Sequence, residues 1–205
     1  MKINKLSDSK YEISGLIRPN IIRDICELFN ISTLIKSDEI VFNDVNSVVT
    51  YRNWEKDNHP LIDYISSEKI FDNFAAISLY LEKLGMQLSH LDPTHILVVN
   101  SSIFIPINLD DLYIIKQSSI TVDNMYDKNN PYLSLELKNN TKIPFIVNYK
   151  CFYSSLALLV YDKLIGLKKG SHYNEDLLVI YGSRLYWLLK YCLLEKPEDR
   201  IIVIM

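Results

Sequence analysis

The chain has 205 residues, 48% of them apolar, and a formal charge of −3, enough for one well-buried domain or a large lobe with the remnant of another. That charge gives no basic footprint for neutralising phosphates, so nucleic acid is not an expected partner. The longest apolar runs fall far short of the roughly 20 residues that cross a bilayer, so no membrane is expected either.

Three cysteines, Cys26, Cys151 and Cys192, have no metal-site spacing and follow no secretory leader, which points to a soluble protein of a reducing, intracellular, cytoplasmic compartment. Only five glycines occur, where average usage would give roughly fourteen, so a glycine-cradled phosphate loop has little material. Abundant Ile, Asn, Lys and Tyr suggest an AT-rich genome such as that of a large DNA virus.

In chain order, the first clear period predicts a helix capped by Asn20, with Ile21, Ile22, Ile25, Cys26, Leu28 and Phe29 at helical spacing. Strand-rich pieces follow at residues 31–35 and 47–51, then a polar stretch, 53–60, expected as a hinge. From Glu68 to Leu88, apolar residues recurring every three or four positions predict a long amphipathic helix, with Gly85 near its end. Residues 95–99 and 103–107 read as a hairpin around Asn100-Ser101-Ser102, and 112–115 as a further short strand. The segment from Phe152 to Leu164, apolar on most of its circumference, is expected as the buried central helix, and a last helix is expected from its cap at Asn174 through Tyr191. Gly166 to Ser171 lacks the spacing of a phosphate loop and is taken as an interhelical connection.

One segment carries chemistry. Leu88-Ser89-His90-Leu91-Asp92-Pro93-Thr94-His95-Ile96-Leu97 resembles the catalytic loop of protein kinases, H-R-D-L-K-P-x-N-I-L. In that register the catalytic aspartate position holds His90, the lysine position Asp92 and the metal-binding asparagine position His95, while the Asp-Phe-Gly triplet falls at Asn108-Leu109-Asp110. Ser134-Leu135-Glu136 looks like Ala-Pro-Glu. The run Cys151 to Leu156 is similar to the Asp-x-Trp-Ser-x-Gly start of the central helix, with Cys151 at the buried aspartate, and Lys196 to Arg200 resembles the segment whose arginine pairs with the Ala-Pro-Glu glutamate. Ile22-Arg23-Asp24-Ile25 is similar to helix C of cyclin-dependent-type serine/threonine kinases, with Asp24 at the glutamate; its partner would be Lys2 or Lys5 on a first strand, Met1 to Lys5.

The resemblance implies an α+β, protein kinase-like fold. It would have a truncated N-terminal lobe lacking the glycine-rich loop (1–52: a strand, helix C, two strands), a hinge (53–60) and a mainly helical C-terminal lobe (61–205). It implies a buried Glu136–Arg200 bridge. It also implies lost chemistry: magnesium prefers oxygen ligands, which His95 and Asn108 supply poorly, and Asp92 puts negative charge where the transferred phosphoryl group gathers its own. His90, Asp92 and His95 as a zinc set is disfavoured against loop histidines bonded to backbone, and Cys151 is expected as an inert buried thiol.

The function implied is a catalytically inactive pseudokinase acting as a protein-interaction or regulatory module, with no cofactor and no metal, its partner an active kinase or a protein of a virus particle. Two alternatives stand beside it: a structural component of a large assembly such as a virus particle, and an atypical nucleotide-binding kinase that gives His90 and Asp110 new roles.

Overall fold

The computed structural model describes residues 2–58, 63–166 and 173–202. In chain order these form β1 (Lys2–Ser7), β2 (Lys10–Ser14), α1 (Pro19–Leu28), β3 (Thr33–Lys36), β4 (Glu39–Asn43), β5 (Val48–Thr50), α2 (Tyr51–Asn58), α3 (Tyr64–Lys83), β6 (Met86–Leu88), β7 (Ile96–Val99), β8 (Ile103–Pro106), β9 (Leu112–Ile114), β10 (Ser119–Val122), α4 (Leu135–Asn139), β11 (Phe145–Asn148), α5 (Cys151–Leu164), α6 (Tyr173–Asp176) and α7 (Arg184–Cys192), with single 3₁₀ turns at Pro93–His95, Leu177–Ile180 and Pro197–Asp199. The fold is α+β with several small antiparallel sheets. Among the described residues no helix is long and apolar enough to cross a membrane.

The described residues fall into two compact units, one holding residues up to 58 together with Asp92–Asp110, the other holding residues 63–91 and those from Asp111 onward. In the first unit a four-stranded antiparallel sheet runs in the order β1-β2-β4-β3. The Tyr11 and Ile13 side chains of β2 are buried while Lys10 and Glu12 are not, the alternation of a strand with one wet face. Its short, half-polar run hid β2 from the sequence reading, so the strand directly before α1 is β2, not a first strand ending at Lys5.

Helix α1 starts one residue before the expected cap, because Arg18 takes the left-handed conformation and Pro19 supplies the fixed φ of a first helical turn. It buries Ile22, Ile25 and Cys26 against β3, β4 and β8. It ends where Asn30 turns left-handed and Ile31 N–H reaches back 3.0 Å to the Cys26 carbonyl, the Schellman closure. A second sheet, β5-β7-β8, contains the expected hairpin, turned by Asn100 and Ser101, both at positive φ. Residues 53–58 of the stretch expected as a hinge are helical instead; 59 and 60 lie outside the described residues. Helix α2 holds there because Tyr51 and Trp54, three residues apart, face Phe104 with ring centroids 6.1 and 5.1 Å away, while the polar residues face out.

In the second unit Asp63 caps α3, its carboxylate accepting from Ser66 N–H at 2.9 Å. This bond holds the Asp63 carboxyl below its ordinary range. The helix packs on α5, which in turn packs on α7. Every residue of α5 from Cys151 through Tyr161 is buried, as expected of the central helix. Two helix extents differ from expectation. Helix α3 stops at Lys83 because Gly85, at φ +70°, closes its end through a 2.9 Å bond to the Glu82 carbonyl, which frees residues 86–88 to form β6. The helix expected from a cap at Asn174 to Tyr191 is instead three pieces: α6, which already holds Asn174 and ends at Asp176, the 3₁₀ turn Leu177–Ile180, and α7, which Ser183 caps after the left-handed Gly182, φ +83°, with its hydroxyl 3.1 Å from Tyr186 N–H. The connection expected from Gly166 to Ser171 lies outside the described residues beyond Gly166.

Gly85 has open space where a Cβ would be, so only its backbone angle resists substitution. Gly85→Ala is expected to cost about 1–2 kcal/mol and Gly85→Asn less, since Asn visits the left-handed region readily; thermal melts of the two variants check the ranking.

Candidate functional site

The segment after β6 is held by α5. Strand β6 pairs with β9, Leu88 opposite Leu112, and Ser89 N–H extends the ladder with a 3.0 Å bond to the Asp111 carbonyl. Two α5 side chains four residues apart, and so on one helix face, then fasten the loop. The Cys151 thiol donates to the Ser89 carbonyl at 3.2 Å, and Ser155 Oγ accepts from Leu91 N–H at 2.8 Å. Burial pushes the Cys151 thiol up, so it stays protonated and acts as a donor. A carboxylate at this position could only accept, so with cysteine here it is the Ser89 carbonyl rather than an N–H that meets the helix.

His90 is 8% exposed and lies edge-on to Tyr126, ring centroids 4.6 Å apart. Ser89 Oγ is 3.1 Å from His90 Nδ1, and the nearest Asp111 carboxylate oxygen is 4.0 Å from the same nitrogen. Serine, histidine and aspartate therefore meet, but not as a hydrolytic triad, in which serine and aspartate engage opposite ring nitrogens. Tyr126 OH bonds Ser89 Oγ at 2.8 Å and lies 3.2 Å from Tyr113 OH, which donates to Asp111 at 3.4 Å. Burial pushes Tyr113 up to about 12 and Tyr126 higher, so both phenols remain hydrogen-bonding hydroxyls at neutral pH. The arrangement holds His90 Nδ1 beside a polar network of Ser89, Asp111, Tyr113 and Tyr126. Asp111, Tyr113 and Tyr126 were not foreseen: Asp111 hid beside Asp110, and Tyr126 sits in an irregular loop without a period.

The remaining loop residues belong to the first unit. Asp92 caps the Pro93–His95 turn, its carboxylate accepting from Thr94 N–H at 2.8 Å, with His95 Nδ1 3.8 Å from its other oxygen. A lysine there could not cap. The His95 carbonyl accepts from Ile107 N–H at 2.9 Å, which brings His95 beside Asn108 and Asp110. These residues, with Thr94, Ile107 and the Gly15–Ile17 segment, line a cleft of about 290 Å³. Asn108 Oδ1 accepts from Asp110 N–H at 3.0 Å, and Leu109 between them is fully buried. The zinc set weighed for this loop is not assembled: among the described residues no group of three or more His, Cys, Asp or Glu side chains is placed to hold a metal ion.

Two scaffold residues meet in the second unit. The Arg200 guanidinium, 3% exposed, grips Glu136 through both carboxylate oxygens, Nη2 at 3.2 Å from Oε2, and donates to the carbonyls of Leu194, Lys150 and Glu195 at 2.8, 3.3 and 3.3 Å. Elsewhere, Asp24 accepts from Arg23 at 2.7 and 2.9 Å, and Lys5 pairs with Asp8 at 3.1 Å. The lysine expected to meet Asp24 is thus engaged at its own strand turn in the case of Lys5. No protein-family profile matches the sequence, and no curated protein is significantly similar to it.

Arg200→Ala leaves Glu136 unpaired in a largely buried setting and is expected to destabilise by about 3 kcal/mol, near the lower limit for buried pairs because Glu136 keeps 18% exposure. Arg200→Lys is expected to recover little, since an ammonium cannot reproduce the fork and its carbonyl bonds. Ser134 Oγ, by contrast, is buried without a partner among the described residues, so Ser134→Ala is expected to be neutral or stabilising. Urea unfolding of the three variants tests the set.

All three thiols are buried and free, and burial lifts Cys26 and Cys192 from 9.0 to about 12. Above pH 9 the unfolded chain sheds these protons while the folded chain keeps them, so stability is expected to fall between pH 9 and pH 12. At pH 8 a thiol reagent is expected to label none of the three natively and all three in denaturant; rapid native labelling of any one would contradict its burial.

Proposed function

We propose that the chain is a catalytically inactive, kinase-like interaction module whose second unit presents a docking surface to another protein. The observation that carries this reading is the contrast between scaffold and reactive positions. Glu136 and Arg200, the pair that the resemblance to kinases implies, are joined, Arg200 buried and Glu136 largely so, and the α5 position of the buried aspartate still fastens the loop. The positions that would move phosphate are occupied by residues bonded into the protein itself: His90 beside a polar network and Asp92 as a turn cap.

The element order supports the kinase-like fold. A helix and short strands lead to a long helix, then a short strand, the loop, the β7–β8 hairpin, and a mainly helical remainder built on a buried central helix. A general base with access to a substrate hydroxyl is worth about 10²–10⁴ in rate, and a His90 whose side chain is 8% exposed, with Nδ1 beside Ser89 Oγ, is poorly placed to supply it; the metal and clamp positions are lost besides.

The interaction role is supported by an apolar patch at α7 and the turn before it. Val179 is 77% and Tyr181 67% exposed, beside half-exposed Leu178, Trp187 and Tyr191. Ring contacts link Tyr181, Tyr186, Trp187 and Tyr191 into one surface, with centroid separations of 4.9–6.4 Å across Trp187, and Lys190 Nζ lies 5.3 Å from the Trp187 ring centre. Tyr186 is the buried base of this cluster, and the exposed apolar surface that Val179, Tyr181, Trp187 and Tyr191 form around it is of the aromatic-rich kind that protein-binding surfaces use.

Two measurements test the proposal. With ATP and magnesium, no phosphate transfer and no rise in Tm are expected; a saturable rise with transfer to any substrate would replace the reading by an atypical kinase. Affinity capture of the tagged chain, compared with a Val179→Asp, Tyr181→Asp variant of unchanged Tm, is expected to show a kinase, phosphatase or kinase substrate lost from the variant. Capture of particle proteins alone would instead mean that the fold serves as a structural part.

A further inference from the structure

We propose that the cleft of the first unit is a binding site for an organic cation, an alkylammonium or guanidinium group on a short apolar stem. This rests on the geometry of that unit and not on the kinase-like reading. At about 290 Å³ the cleft lies at the lower edge of the range of small-molecule pockets, a size suited to a side-chain-like group.

The sign of the ligand follows from the lining. Among the described residues no lysine or arginine lines the cleft, so a phosphate or carboxylate would find no counter-charge there. Among the described residues that line it the one formal charge is the Asp110 carboxylate, which makes no ion pair with any of the others described. Its place is fixed through its main chain, because Asp110 N–H is bonded to Asn108 Oδ1 at 3.0 Å. That bond takes one of the two lone pairs of Asn108 Oδ1.

His95 adds an acceptor. Its Nδ1 faces the Asp92 carboxylate at 3.8 Å, and with the proton on that nitrogen the Nε2 lone pair is left for a ligand N–H. Leu16, Ile17 and Ile107 form the apolar part of the lining, which suits the methylene stem of an amine or of an arginine or lysine side chain. Carboxylate, imidazole acceptor and aliphatic wall together match a cation that carries hydrogen-bond donors at one end and hydrocarbon behind.

The test is titration of the full chain, by calorimetry and by amide NMR, with cadaverine, N-acetyl-arginine methylamide, the neutral N-acetyl-norleucine methylamide, and metal-free ATP. Saturable binding of at least one cation is expected, with amide shifts centred on residues 94–95 and 107–110. Asp110→Asn is expected to weaken it by roughly tenfold or more, the loss of one charge-assisted bond, while Asp110→Glu retains most of it. The Asn variant keeps the main-chain bond to Asn108, so its Tm should match the parent and separate lost binding from lost fold. A preference for the arginine derivative identifies a partner's side chain as the source, and a preference for cadaverine a free amine. Equal affinity for the norleucine control, no effect of Asp110→Asn, metal-free ATP displacing the cations at these residues, or no saturable cation binding would each overturn the proposal. None of these outcomes bears on magnesium-dependent phosphate transfer, so failure here and failure of the kinase-like reading are told apart.

Discussion

The second unit depends on one guanidinium. Arg200 reaches Glu136 at the start of α4, the Lys150 carbonyl at the entrance to α5, and the carbonyls of Leu194 and Glu195 just beyond α7. Three chain segments far apart in sequence are therefore tied at a single buried point. An arginine suits this task because its planar fork offers five donors at fixed angles, and burying the charge is tolerable only when the carboxylate and the carbonyls are all in place. The tie also fixes where α5 begins, and so where Cys151 and Ser155 meet the loop at residues 89–91.

From that anchor the loop's chemistry follows by hydrogen-bond polarity. An acidic side chain at position 151 would draw loop N–H groups toward the helix; the protonated thiol instead meets the Ser89 carbonyl. Leu91 N–H is taken by Ser155. The main chain on both sides of His90 is thus held by α5, and its ring is left to pack against Tyr126 beside Ser89 Oγ. A buried polar network of this kind rigidifies its surroundings when every member is paired.

Much of this was legible in the sequence, for identifiable reasons. Helix α5 announced itself because a helix buried all round has an apolar circumference, and the β7–β8 hairpin because its turn residues, Asn100 and Ser101, tolerate positive φ. The pairing of Glu136 with Arg200 rested on motif order, since nothing local marks two residues 64 positions apart as partners. What stayed hidden has a common cause. Strand β2 is half polar because one face is wet, α2 is polar because only Tyr51 and Trp54 pack inward, and β6 continued the apolar rhythm of α3 so closely that only the left-handed Gly85 separates them. In the site, the His90 network depends on contacts to Asp111 and Tyr126 across an irregular loop, where no periodicity carries information.

The polar groups along the loop share a direction that single positions do not reveal. A reactive loop must leave charged groups unsatisfied by the protein so that a substrate or metal can complete them. Here Asp92 completes Thr94 N–H, Asn108 completes Asp110 N–H, and His90 is enclosed by Ser89 and Tyr126. Each of these groups closes a local turn or network of the protein itself. Asp110 is the exception: its main chain is fixed while its carboxylate makes no ion pair among the described residues. On a loop otherwise closed upon itself, that remaining charge is where an outside partner has most to gain.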